Sequence, residues 1–138
     1  MIEITDRPID AERLANAVRK DSHGAVVTFF GTVRNQSMGK AVLHLEYEAY
    51  KEMAEKELRQ IAGEIKERWG LDQVAIAHRI GHMAVGEIVL VIAVGAPHRK
   101  EAFAACEYAV DRIKQIVPVW KKEVFESGEC WVEGEKPD

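Results

Sequence analysis

From residue 51 to residue 69 the apolar side chains Met53, Ala54, Leu58, Ile61, Ala62, Ile65 and Trp69 recur at helical spacing and draw one stripe along a helix. The opposite face carries Glu52–Lys56, Glu55–Arg59 and Glu64–Arg68 at i,i+4 spacing, and Gly70 stands where a helix C-cap belongs. A second stretch over 99–117 repeats the pattern, with Ala102, Phe103, Cys106, Ala109, Val110, Ile113 and Val117 inward, and Pro118 ends it. Two long helices with one apolar face each need a flat apolar partner to pack against.

The remaining segments supply that partner. The run 24–33, Gly-Ala-Val-Val-Thr-Phe-Phe-Gly-Thr-Val, is apolar and β-branched without clean alternation, as in a strand covered on both faces. Residues 35–40 read as a polar loop. Leu43 to Glu48 alternate strictly, which predicts a half-exposed strand with Leu43, Leu45 and Tyr47 inward. Residues 74–80 and 87–95 read as two strands around a glycine-containing connection, and 119–125 and 130–133 as short terminal strands. A shorter helix opens near Asp10 with Leu14, Ala17 and Val18 inward. This order predicts an α/β (α+β) sandwich, a mixed sheet packed against helices. No linker, repeat or low-complexity stretch divides residues 1–138, so one domain is expected.

The chain has 138 residues, 47% hydrophobic and 30% charged, which suits one globular core. A net charge of -4 argues against general nucleic-acid binding, where a basic excess supplies most of the affinity. No apolar run approaches the roughly 20 residues of a membrane helix, and the polar N-terminus is unlike a secretory signal; a cytoplasmic location is expected. Cys106 and Cys130 form no CxxC and sit in no cluster with metal-ligand spacing, so neither a structural zinc site nor a disulfide is expected.

Three places put basic side chains at the ends of regular elements, where sites are usually built. Arg34 follows Gly31-Thr32-Val33 at a strand exit and offers a planar fork suited to phosphate; the alternative is a solvated loop arginine. His98 and Arg99 follow Gly95-Ala96-Pro97 at a helix start, where free N–H groups favour an anion; the alternative is a capping histidine beside a solvated arginine. Lys114 lies at a helix end, followed by Pro118-Val119-Trp120-Lys121-Lys122-Glu123. Lys114 alone is explained by the helix C-terminus or Asp111, and Lys121 and Lys122 by an edge-strand charge guard. Lysines crowded together can instead serve as acid, base or nucleophile. His44, His78 and the pair Glu46/Glu48 read as structural or solvated. Cys106 reads as a small core hydrophobe, and Cys130 as the thiol to weigh for sulfur chemistry.

Together these segments resemble the molybdopterin synthase large (catalytic) subunit family. The resemblance rests on Thr28-Phe29-Phe30-Gly31-Thr32-Val33-Arg34-Asn35, Leu45-Glu46-Tyr47-Glu48-Ala49-Tyr50 and His78-Arg79-Ile80-Gly81. It continues through Ala96-Pro97-His98-Arg99, Ile113-Lys114, Pro118-Val119-Trp120-Lys121-Lys122-Glu123 and Trp131-Val132-Glu133, in the family's order from about residue 22 to 133. The resemblance implies an α/β hammerhead-like fold and a homodimer with a small subunit at each end, a heterotetramer. It implies a ubiquitin-like small subunit whose Gly-Gly C-terminus carries a thiocarboxylate and enters a pocket on the large subunit. It implies cyclic pyranopterin monophosphate (precursor Z) as substrate and the dithiolene molybdopterin as product. Family substrate contacts fall on Thr32, Val33, Arg34, His98, Arg99, Lys114, Lys121, Lys122 and Glu123, and the family's catalytic lysines on Lys114 and Lys121. No metal and no cofactor are implied beyond the partner's thiocarboxylate. The sequence departs from the family in one respect: many members carry a longer tail beyond Trp131-Val132-Glu133, where here Gly134 to Asp138 stand; as these do not close on Gly-Gly, an external sulfur source is expected.

Two other readings of the same residues differ in what they require. One is an enzyme that carries its own sulfur as a persulfide on Cys130, which loses activity in Cys130→Ala. The other is a phosphate-ligand or regulatory module using the same basic pocket, which gives no turnover with a thiocarboxylated partner.

Overall fold

The structure, a computed structural model, describes residues 1–126 and 128–133, the last four of them by backbone course alone. In chain order the elements are β1 (Ile2–Thr5), α1 (Ala11–Ala17), β2 (Ala25–Thr32), β3 (Gln36–Ser37), β4 (Lys40–Ala49) and α2 (Lys51–Trp69). There follow β5 (Val74–Arg79), β6 (Gly81–Ala84), β7 (Ile88–Ala96), α3 (Arg99–Ile116), β8 (Val119–Phe125) and β9 (Gly128–Glu133).

The strands form two sheets. The first has the order β1-β5-β7-β2 and is mixed, since β1 runs parallel to β5 while β7 runs antiparallel to both its neighbours. The second has the order β3-β4-β8-β9, with β6 also paired to β4, and is antiparallel throughout. The expected fold class holds, with two sheets in place of one.

Both long helices bury the stripe their spacing draws. Ala54, Leu58, Ile61 and Ile65 of α2, and Ala102, Ala105, Cys106, Ala109 and Ile113 of α3, lie in one core with Ile76, Leu90, Ile92 and Val94 of the first sheet. Val42, Leu45, Tyr47, Met83 and Phe125 of the second sheet join the same cluster. Each large aliphatic side chain so buried contributes about 1.5–3 kcal/mol. Asp10 caps α1, accepting from the Arg13 N–H at 3.2 Å, and Gly70 ends α2 in the left-handed region at φ 68°. The opposite face of the first sheet is covered by α1, whose Leu14 and Val18 sit on Ala75, Ala77, Val91 and Ala93. That helix has only seven residues, and among the described residues none covers the outer face of β2.

Several local expectations change. Strand β2 is an edge strand, half-buried on one face and exposed on the other, with Val26 at 40% and Phe30 at 47% exposure. Its apolar run marks an uncovered sheet face, not burial on both sides. In β4 a bulge between Val42 and His44 turns Leu43 outward and puts Val42 in the core. The polar stretch 35–40 is a tight hairpin, closed by Met38 and Gly39 at φ 52° and 76°, as a two-residue primed turn requires. The connection after β5 contains β6. Ala17, Met53 and Phe103 lie on helix flanks and are exposed, while Ala105 takes an inner place in α3.

Candidate active site

A cavity of about 250 Å³ opens where β2 ends, between the two sheets and the last turn of α3. The local chain course explains each contributor. After a register shift at Gly31/Thr32, the Val33 N–H donates to the Glu87 carbonyl at 3.0 Å and its own carbonyl accepts from Gly86 at 2.8 Å. With Val33 pinned in the core, Thr32 and Arg34 on either side of it are turned out to the cavity rim. From the second sheet, Tyr47 stands opposite Lys121 and Leu45 opposite Glu123, so all four share the inward face of the β4–β8 pair. Lys114 reaches the cavity from the last turn of α3, where the unpaired helix carbonyls favour a cation.

The electrostatics follow from this placement. Arg34, Lys114 and Lys121 face one carboxylate, Glu123, which is buried at 4% exposure. A cavity with that excess of fixed donors suits an anionic ligand. Its apolar wall comes from Phe29, Phe30 and Leu45.

Of the expected site residues, Thr32, Arg34, Lys114, Lys121 and Glu123 meet in this cavity, and Val33 supports it from the core. Lys122 points to the other face of β8, where it pairs with Glu46 at 2.7 Å and Glu129 at 3.7 Å. The hydrogen bond to Glu46 raises the Lys122 pKa above the ordinary lysine value and holds the Glu46 carboxyl below its own. His98 and Arg99 lie at the start of α3, both exposed. That turn is fixed by close backbone packing: the Gly24 N–H donates to the Pro97 carbonyl at 3.2 Å, and a Cβ on Gly95 would stand 2.6 Å from His23 Nδ1. His98 is the N-cap residue but makes no side-chain cap. Within one chain, the length of α3 separates Arg99 from Lys114 by roughly 20 Å at 1.5 Å per residue. Arg34 and the 96–99 turn stand at opposite ends of β2, about 27 Å apart at 3.4 Å per residue. Inside one chain the first and third basic segments meet at the cavity, while His98 and Arg99 stand apart from it.

Sequence reading missed Phe29, Phe30, Gln36, Leu45 and Tyr47 as cavity residues. The alternation through β4 already put Tyr47 on the face of Leu45, but only the pairing with β8 shows what that face meets. Cys106 is buried, and burial pushes its thiol up to about 11, leaving it protonated and unreactive. The side chain of Cys130 and the segment 134–138 lie outside the described residues. Among the described residues no group of three or more His, Cys, Asp or Glu side chains is placed to hold a metal ion.

Comparison with known proteins is consistent with this geometry. The family profile described as "MoaE protein" matches residues 4–116. The Bacillus subtilis protein named molybdopterin synthase catalytic subunit is 53% identical over 130 residues, covering 94% of this chain and 83% of that one. The crystal structure of molybdopterin synthase from Staphylococcus aureus superimposes with a TM-score of 0.91 at 48% identity, covering 94% of this chain and 95% of that one. A molybdopterin biosynthesis MoaE protein from Burkholderia ambifaria does so with a TM-score of 0.85 at 37% identity, covering 99% and 91%. Sharing that profile, and about half its residues with the Bacillus protein over nearly its whole length, the chain belongs to the MoaE protein family.

Proposed function

We propose that this chain is the large, catalytic subunit of a molybdopterin synthase. It moves sulfur from the thiocarboxylated Gly-Gly tail of a small ubiquitin-like carrier onto precursor Z, forming the molybdopterin dithiolene. The observation that carries the reading is the cavity in which Arg34, Lys114 and Lys121 surround one buried carboxylate, on a chain whose relatives bear that enzyme name. A thiocarboxylate and a cyclic phosphate are both anions, and bringing them together needs fixed cations. A volume of about 250 Å³ admits an extended tail and keeps a folded carrier outside. Lys114 serves as acid/base and electrostatic group while sulfur attacks the pterin side chain and the cyclic phosphate opens. Lys121 holds the carboxyl end of the carrier, and the donor chemistry calls for no cofactor of this chain's own. Such a synthase works in the cytoplasm; among the described residues no helix is long and apolar enough to cross a membrane.

His98 and Arg99 join this site from a second copy. Among the described residues, strand β2 has a free edge and an uncovered apolar face, carrying Val26 and Phe30. A twofold axis that pairs two β2 strands antiparallel lays the start of one strand, beside Pro97 to Arg99, against the end of the other, beside Arg34. The phosphate is then held by Arg34 of one copy and by His98 and Arg99 of the other.

Two assays test these readings. Mixing the chain with thiocarboxylated carrier and precursor Z yields molybdopterin, whereas carrier ending in an ordinary carboxylate yields none; absence of product with the thiocarboxylate rejects the function. Arg34→Ala and Arg99→Ala chains are each impaired alone. Refolded together at equal amounts, half the dimers are mixed and each has one intact shared site, so about a quarter of wild-type activity returns. No recovery on mixing rejects the shared site.

A further inference from the structure

The function proposed above gives no role to two buried groups at this cavity, Tyr47 in its wall and His78 packed against the Tyr47 ring. Tyr47 is 3% exposed and lines the cavity with Lys114, Lys121 and Glu123, directly opposite Lys121 in the β4–β8 register. Of the two hydroxyl-bearing side chains among the described residues that line this cavity, Thr32 is exposed and Tyr47 is buried. His78, from β5 of the other sheet, is 1% exposed and packs edge-on against the Tyr47 ring, centroids 5.4 Å apart and planes at 66°. Its Nδ1 lies 2.8 Å from the Arg79 carbonyl, a contact that requires the proton on Nδ1 and fixes the imidazole plane.

Burying a histidine solely to fill space is wasteful where Leu or Phe would serve, because a polar ring must be hydrogen-bonded to be tolerated there. Here the bonded ring sets the angle of a tyrosine that stands at the junction of the two sheets. The long side chains of Lys114 and Lys121 have several rotatable bonds, whereas a buried phenol packed against the His78 ring has lost most of its freedom before any ligand arrives. A preorganised neutral donor of that kind stabilises charge that develops on oxygen during reaction, at no reorganisation cost.

We propose that Tyr47 is a further ligand-contacting residue of this cavity, its phenolic O–H donating to an anionic oxygen of the bound ligand, with His78 as the positioning residue behind its ring. The proposal takes its reaction class, though not its contact, from the function proposed above.

The test uses the full chain labelled with carbon-13 at the tyrosine ζ position. The sequence holds three tyrosines, Tyr47, Tyr50 and Tyr108, and Tyr47→Phe assigns the relevant signal by its loss. Titration with inorganic phosphate moves the Tyr47 signal saturably and leaves Tyr50 and Tyr108 in place. In the sulfur-transfer assay Tyr47→Phe lowers kcat by about tenfold or more with KM changed little, as loss of a donor used mainly in the transition state requires. His78→Gln, checked for intact fold by circular dichroism, lowers kcat in the same way and adds nothing further in the Tyr47→Phe background, the signature of action through Tyr47. A Tyr47 signal indifferent to phosphate, or a Tyr47→Phe protein with wild-type kcat, overturns the contact; independent, additive losses overturn the role of His78. A wild-type chain whose Tyr47 signal answers phosphate but which transfers no sulfur rejects the sulfur-transfer function and leaves the contact standing.

Discussion

Lys114, to which the proposed function gives the acid/base role, lines the cavity without carrying the fold. It stands half-buried at the last turn of α3, while its helical neighbour Ile113 carries the packing. Lys114→Ala therefore removes a cation from the cavity and little from the core. We expect sulfur transfer to fall at least about a hundredfold while the melting temperature stays within about 2 °C. Near-normal turnover in a well-folded Lys114→Ala protein removes this lysine from the catalytic role. Glu123 is the complementary case, a charged residue that the pairing of β8 with β4 turns to the inward face, where the cations of the cavity make it tolerable.

At the scale of elements, the two long helices are clamped to each other by polar contacts as well as by their apolar stripes. Glu64 of α2 accepts from Tyr108 at 2.6 Å, from Arg112 Nε at 2.8 Å and from Gln60 at 3.0 Å, with Arg68 stacked over the Tyr108 ring. These bonds, that of Arg112 foremost, hold the Glu64 carboxyl at about 2 against an ordinary 4.5. A folded-state pKa below the unfolded one stabilises fully above the unfolded value and is lost as pH falls through the folded one. Glu64→Gln should therefore cost about 1–2 kcal/mol at neutral pH. The gap from wild type should narrow below about pH 4.5 and close near pH 2 in denaturant titrations; a gap independent of pH contradicts the clamp. The end of β7 depends on space instead of charge. A methyl group on Gly95 would collide with the Val18 carbonyl and with His23, so Gly95→Ala should destabilise by about 3 kcal/mol in urea unfolding. A change within experimental error shows that the α1–β2 connection yields more readily than its packing indicates.

For the whole molecule, the uncovered face of β2 is the feature that one chain leaves unfinished. Val26 lies on that face away from the cavity residues and is exposed, so a charge there disturbs no internal packing. On the twofold pairing proposed above, Val26→Glu should shift the protein from dimer to monomer in sedimentation and lower activity by about tenfold or more, by taking His98 and Arg99 of the second copy away from the proposed anion site. A dimeric, fully active Val26→Glu protein places the subunit contact elsewhere.

Much of this protein is legible in its sequence. The stripes over 51–69 and 99–117, Gly70 and Pro118 give both helices nearly to the residue, because helical spacing and end signals are local properties. The basic residues at strand and helix ends also identify themselves, since exposed ends are where chain geometry leaves side chains free. What periodicity could not give is anything set by a neighbour distant in sequence. The bulge that turns Leu43 outward depends on β8, and the exposure of Val26 and Phe30 depends on how short α1 is. The meeting of Tyr47 with Lys121, and that of Lys122 with Glu46, depend on strand register. Local sequence determines which face a residue takes along its own element, and tertiary pairing alone decides what that face meets, because contacts between elements form across chain separations that no local pattern records.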